Sequence, residues 1–161
     1  MTAKDIKYIV IHCSAGHGDL ASIKAFWLNV LKWATGGYHR FVDFDGTITA
    51  LYPFTKVVNG VKNYNQNAIH ISYRGGVDKL NVKVSKDTRT IQQKASIITC
   101  IVEALVWINN NGGNVDQVKI LGHRDLSPDK NGNGIIESWE RIKECPSFNA
   151  IKEYQYLQPK N

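Results

Sequence analysis

Three cysteines in 161 residues, Cys13, Cys100 and Cys145, are too few, and odd in number, for a disulfide framework. A reducing site of synthesis is the simpler reading, and it leaves at least one thiol for another use. No apolar run approaches the ~20 residues a membrane helix needs, so no membrane insertion is expected. The opening Met1-Thr2-Ala3-Lys4-Asp5 passes straight into the short run Tyr8-Ile9-Val10-Ile11, without the longer apolar region and small-residue cleavage site of a secretory signal. The chain is therefore expected to be soluble and made in the cytoplasm. It also lacks internal repeats, low-complexity tracts and an evident linker, which predicts one domain over residues 1–161, as a monomer.

What is present is globular in composition, with 43% hydrophobic and 21% charged residues. The length suffices to bury a core without staples. A net charge of +6 could attract nucleic acid, an acidic membrane surface or the anionic polymers of a bacterial envelope. Lys and Arg are scattered, however, and do not interleave with aromatic residues as in a single-strand binder. With no recognisable nucleic-acid motif either, no nucleic-acid partner is expected.

Periodicity sets out the elements. Lys7 to Cys13 reads as a short buried strand. From Leu20 to Trp33, residues Ile23, Phe26, Trp27, Val30 and Leu31 recur at helical spacing and predict one inward stripe, stopped by Gly36-Gly37. His39 to Phe44 and Thr47 to Tyr52 alternate around Asp45-Gly46, a hairpin signal. Pro53 to Asn67 is polar and turn-rich, and Ala68 to Tyr73 is another strand. A long helix is predicted from about Thr88 to Asn110, with Ile91, Ile98, Val102, Leu105 and Ile108 inward, ended by Asn111-Gly112-Gly113. Val118 to Gly122 is a strand, and Ser147 could cap a last helix running through Tyr154. Strands alternating with helices, plus one hairpin, predict an α/β single layered domain with a mixed central β-sheet flanked by helices.

Three residues at the edges of this scaffold carry metal chemistry. His12 ends the first strand, His123 follows the last in Gly122-His123-Arg124-Asp125, and Cys145 lies in Lys143-Glu144-Cys145-Pro146-Ser147. Two imidazoles and a thiolate are good zinc ligands, and three protein ligands leave a fourth position open, as a catalytic zinc requires. Spacing alone leaves this open against a strand-end histidine, a turn histidine and a buried free thiol.

The ordered set of motifs is more specific. His12-Cys13-Ser14-Ala15, Gly37-Tyr38-His39 before the hairpin, Asn67 through Gly75-Gly76, Gly122-His123-Arg124-Asp125 and Lys143-Glu144-Cys145-Pro146-Ser147-Phe148 span nearly the whole domain. In that order they resemble the zinc-dependent N-acetylmuramoyl-L-alanine amidases, which include phage endolysins and are related to the peptidoglycan recognition proteins. The resemblance implies a single catalytic domain without a separate wall-binding domain. It implies a hydrolase of bacterial peptidoglycan that cuts the amide between N-acetylmuramic acid and L-alanine with a zinc-activated water, and reaches the wall after release or delivery. Under it, His12, His123 and Cys145 match zinc ligands, while Tyr38 and Lys143 match catalytic residues. A non-catalytic peptidoglycan-binding module is the alternative, but such binders commonly lose the cysteine, which this chain keeps. His70 departs from the pattern, standing where relatives often carry a small residue. It could be a fourth ligand, a substrate contact or a packed histidine.

A second metal pattern lies between the zinc-ligand candidates. Residues 129–140 fit the calcium-loop pattern D-x-[DN]-x-[DN]-G-x5-E, with Asp129, Asn131 and Asn133 as side-chain ligands, Ile135 through its carbonyl and Glu140 bidentate. Ser127-Pro128 stands where an EF-hand has its entering helix.

Overall fold

A computed structural model describes residues 1–158. Five strands, β1 (Tyr8–Cys13), β2 (Arg40–Val42), β3 (Ile48–Ala50), β4 (Ala68–Tyr73) and β5 (Lys119–Gly122), form one sheet in the order β3-β2-β4-β1-β5. β1 runs parallel to β4 and β5, β2 runs parallel to β4, and β3 returns antiparallel to β2 through the predicted hairpin. The mixed sheet is the one expected. β1 and β4 are rich in β-branched residues and almost wholly buried, as strands covered on both faces must be.

Alternation along β1 divides the molecule into two layers. Ile9, Ile11 and Cys13 join Ile69, Ile71 and Tyr73 of β4 in the main core, beneath helix α2 (Ile91–Asn110). On the other face Val10 packs with Ala68, Leu121 and Val61, the last from the loop crossing that side. His12 shares the face of Val10, away from α2.

The two long helical predictions are corrected in detail. The segment from Leu20 is α-helical only through Ala25 (α1, Leu20–Ala25), capped by the Asp19 carboxylate on the Ser22 N–H. It continues as a π-helical turn, Phe26–Val30, closed by the Leu31 N–H on the Phe26 carbonyl at 3.0 Å. Its stripe does not enter the core: Trp27 is buried, but Phe26 is 49% and Val30 63% exposed.

α2 starts at Ile91 behind a Thr90–Gln93 capping box, and its inner face is Ile97, Cys100, Ile101, Ala104 and Ile108. Ile91 and Val102, expected inward, are exposed. The helix is apolar around much of its circumference, so period alone does not choose a face; small Cys100 and Ala104 suit close approach to the sheet. By length and composition α2 could cross a membrane, contrary to the sequence expectation, yet its buried side chains belong to the core of this domain.

The last helix, α3 (Ala150–Tyr154), is capped by Asn149. Ser147 instead donates to the Gly76 carbonyl.

Candidate metal centre and cleft

Parallel pairing of β1 with β5 sets Ile11 opposite Gly122. The next residue on each chain, His12 and His123, therefore emerges at the same end of the sheet, beyond the carboxyl ends of its strands, where open α/β sheets bind ligands. His123 opens a 3-10 turn, His123–Leu126. Cys145 arrives on a later loop. Its carbonyl accepts from the Arg124 N–H at 2.7 Å, and its sulfur accepts from the Cys13 N–H at 3.2 Å. A Cβ on Gly122 would stand 2.4 Å from Pro146 Cδ, so glycine is what lets this loop close on β5.

His12 Nδ1 lies 3.2 Å from His123 Nδ1 and 3.8 Å from Cys145 Sγ, and all three ligand atoms fall within 4.8 Å of one another. A tetrahedral zinc with ordinary Zn–N and Zn–S bonds would separate such atoms by about 3.3 Å and about 3.6 Å. The donor set and its spacing fit zinc. Burial holds the His12 imidazole well below its usual range, with His123, His70 and Lys143 adding to the effect. Burial, then Lys143, brings His123 down to about 4. Both shifts favour the neutral imidazole, the form that can bind a cation.

The cluster lines a groove of about 410 Å³ together with Tyr38 and Lys143. One wall is apolar, made by Ile23, Phe26, Trp27, Leu31 and Trp33. Ile23, Phe26, Trp27 and Leu31 of the α1 stripe thus line the groove, while Val30 is exposed outside it. A second groove, of about 580 Å³, shares Trp33, Asn59, Gly60, His123 and Lys143 with the first, so His123 and Lys143 stand where the two meet. The Tyr38 ring lies 5.2 Å from His12 and edge-on to Trp27 at 5.3 Å. Burial pushes its phenol well above the usual range, so Tyr38 remains a hydrogen-bond donor at neutral pH. Lys143 is solvent-exposed at the mouth.

All five residues singled out for zinc chemistry thus face one cleft. The 129–140 loop behaves differently. Asp129 accepts from the N–H groups of Gly132 and Gly134, Asn131 from that of Asn133, and Asn133 from that of Ile135. The buried Glu140 carboxylate accepts from Lys130, Asn131 and Glu137 N–H groups. These hydrogen bonds shape the turns of the loop. Among the described residues, the metal-type cluster of three His, Cys or acidic side chains is the His12 set, and the calcium expectation gains no support.

Of the remaining histidines, His17 stacks on Phe44 at the periphery. His39 is buried, with Nε2 on the Lys56 carbonyl at 2.9 Å. His70 is neither a fourth ligand nor a substrate contact. It is fully buried, and its Nδ1 meets His12 at Nε2, 3.0 Å away, on the side of the ring remote from Cys145 and His123. Sequence reasoning missed that contact. The signal was present in strand parity: Val10 pairs with His70 and His12 with Ser72, so both histidines lie on one sheet face a diagonal step apart.

A profile of the N-acetylmuramoyl-L-alanine amidase family, Amidase_2, matches residues 2–147. The endolysin of Enterobacteria phage T3 is 27% identical over 152 residues, covering 91% of this chain and 84% of the phage protein. Among solved structures, the N-acetylmuramoyl-L-alanine amidase LysC from Clostridium intestinale URNW is similar at a TM-score of 0.65 and 22% identity, over 98% of this chain and 89% of that one. Drosophila PGRP-LB is similar at a TM-score of 0.66 and 18% identity, over 93% and 79%. The two structures share the fold, and the profile runs from ahead of β1 past Cys145. The chain belongs to the N-acetylmuramoyl-L-alanine amidase family.

Proposed function

We propose that this amidase hydrolyses the amide between the lactyl group of N-acetylmuramic acid and L-alanine in peptidoglycan, using one zinc ion held by His12, His123 and Cys145. The observation that carries the proposal is the convergence of two imidazole nitrogens and a thiol within 4.8 Å of one another, in a groove that Tyr38 and Lys143 also line. A zinc ion bound there supplies Lewis acidity, lowering the pKa of a water toward ~7 and polarising the carbonyl under attack.

The chain's own residues do the rest. The Lys143 ammonium stands at the junction, where it can face the negative charge that develops on the carbonyl oxygen. Tyr38, kept protonated by burial, offers an O–H to that oxygen or to the attacking water. Trp27, Phe26, Leu31 and Trp33 give one side of the groove an apolar surface, and the second groove gives an extended substrate a path beyond the reacting bond. Peptidoglycan is accordingly the partner, engaged by the catalytic grooves themselves.

The test is the bond that breaks. Purified peptidoglycan treated with the zinc-loaded protein is expected to gain free N-terminal L-alanine while its glycan chains stay intact. New reducing sugar ends without new amino groups would overturn the assignment.

A further inference from the structure

We propose that His70 is a positioning residue for the metal centre, accepting the Nε2–H of His12 and so fixing which nitrogen of that ligand is free for the metal. The proposal rests on the reading of His12, His123 and Cys145 as zinc ligands. A neutral imidazole has one donor and one acceptor nitrogen. His12 turns Nδ1 toward His123 and Cys145, so as a metal ligand it would use Nδ1 and carry its proton on Nε2. The group waiting for that proton is His70 Nδ1, at 3.0 Å, with both rings buried. A ligand histidine whose second N–H is held in this way is fixed in tautomer and orientation.

His70 is itself held firmly. Its backbone N–H donates to His39 Nδ1 at 2.9 Å, which leaves the His39 proton on Nε2, facing the Lys56 carbonyl. The two rings lie parallel at 6.0 Å. Room for His70 comes from Gly60, where a Cβ would fall 2.3 Å from His70 Nδ1. Packing alone does not explain a histidine here. With Nδ1 as acceptor, the other nitrogen carries a proton, and that Nε2 is buried with no hydrogen-bond partner among the described residues. An apolar side chain would fill the space without stranding a donor. What the imidazole adds is an acceptor, its Nδ1, for the Nε2–H of His12.

Two variants separate the acceptor from the volume. His70→Phe keeps a ring without an acceptor, and His70→Asn carries an amide oxygen near the place of Nδ1. Zinc affinity, measured by competition with a chromophoric chelator on folded protein, is expected to fall about 10- to 100-fold in His70→Phe and to stay within about threefold of the parent in His70→Asn. In the metal-free parent, ring 1H–15N spectra should find His12 as the Nε2–H tautomer alone. In His70→Phe an Nδ1–H population should appear.

A folded His70→Phe with unchanged zinc affinity would overturn the proposal, as would a His70→Asn that loses as much as His70→Phe. Should His70→Phe not fold, the parent spectrum decides: Nδ1–H on His12 overturns the proposal, Nε2–H alone supports it. A parent protein that binds no zinc refutes the underlying ligand assignment instead, and the metal-free spectrum still tests the His70 contact separately.

Discussion

Lys143 and Cys145 are two residues apart on one loop, yet their substitutions should have different signatures. Lys143 is an exposed residue lining both grooves, and an ammonium is not a zinc ligand. Lys143→Ala should therefore lower kcat by about 10²- to 10³-fold, the usual cost of removing one preorganised partner of a developing oxyanion. Bound zinc, counted by metal analysis, should be unchanged. An equal loss of metal would make Lys143 a structural support. At this scale the sequence was informative where chemistry is carried by residue type. Two histidines and a cysteine in ordered motifs pointed to a ligand set whose atoms do lie together. It was uninformative where a role depends on neighbours across strands. His70 reads as an anomaly along the chain, and only the register of β1 against β4 turns it toward His12. The calcium pattern rests on residue types alone: its side-chain oxygens accept from the loop's own N–H groups, and the structure adds no support for an ion there.

The elements differ in how far their patterns could be read. Strands were legible because β-branched runs bounded by turn residues have few other uses, and Asp45-Gly46 joins β2 to β3 as expected. The α1 stripe was legible as an apolar face but not as a groove wall, because amphipathicity reports a face without naming what covers it. α2 was legible in existence and extent, and its start is set by a cap more sharply than by its apolar period. The Thr90 hydroxyl accepts from the Gln93 N–H and donates to the Phe44 carbonyl at 2.7 Å, tying the helix start to the hairpin. Thr90→Ala should cost about 1–2 kcal/mol. Thermal melting should then fall by roughly 2–4 °C for each kcal/mol in a domain of this size. Activity per folded molecule should be unaltered, since Thr90 lies outside the cleft. An unchanged melting temperature would show that the cap is dispensable.

At the scale of the whole molecule, one sheet separates stability from chemistry. Its α2 face holds most of the core, and its other face and strand ends hold the histidines, the cysteine and both grooves. This division lets the face beneath the cleft keep buried polar groups, such as His70 Nε2, which has no hydrogen-bond partner among the described residues, at a cost borne by the core opposite. The net charge of +6 suits an anionic wall polymer, but the amidase assignment rests on the family match and the cleft.

The proposed mechanism requires one zinc ion, held by His12, His123 and Cys145, for amide cleavage. Its most direct test is to measure zinc per chain and peptidoglycan amidase rate on the same preparations of the parent and of Cys145→Ala. The parent should hold one zinc, lose activity to a chelator and recover it when zinc is returned, while folded Cys145→Ala should retain neither metal nor activity. A Cys145→Ala protein that keeps its zinc and cleaves at the parent rate would contradict the account.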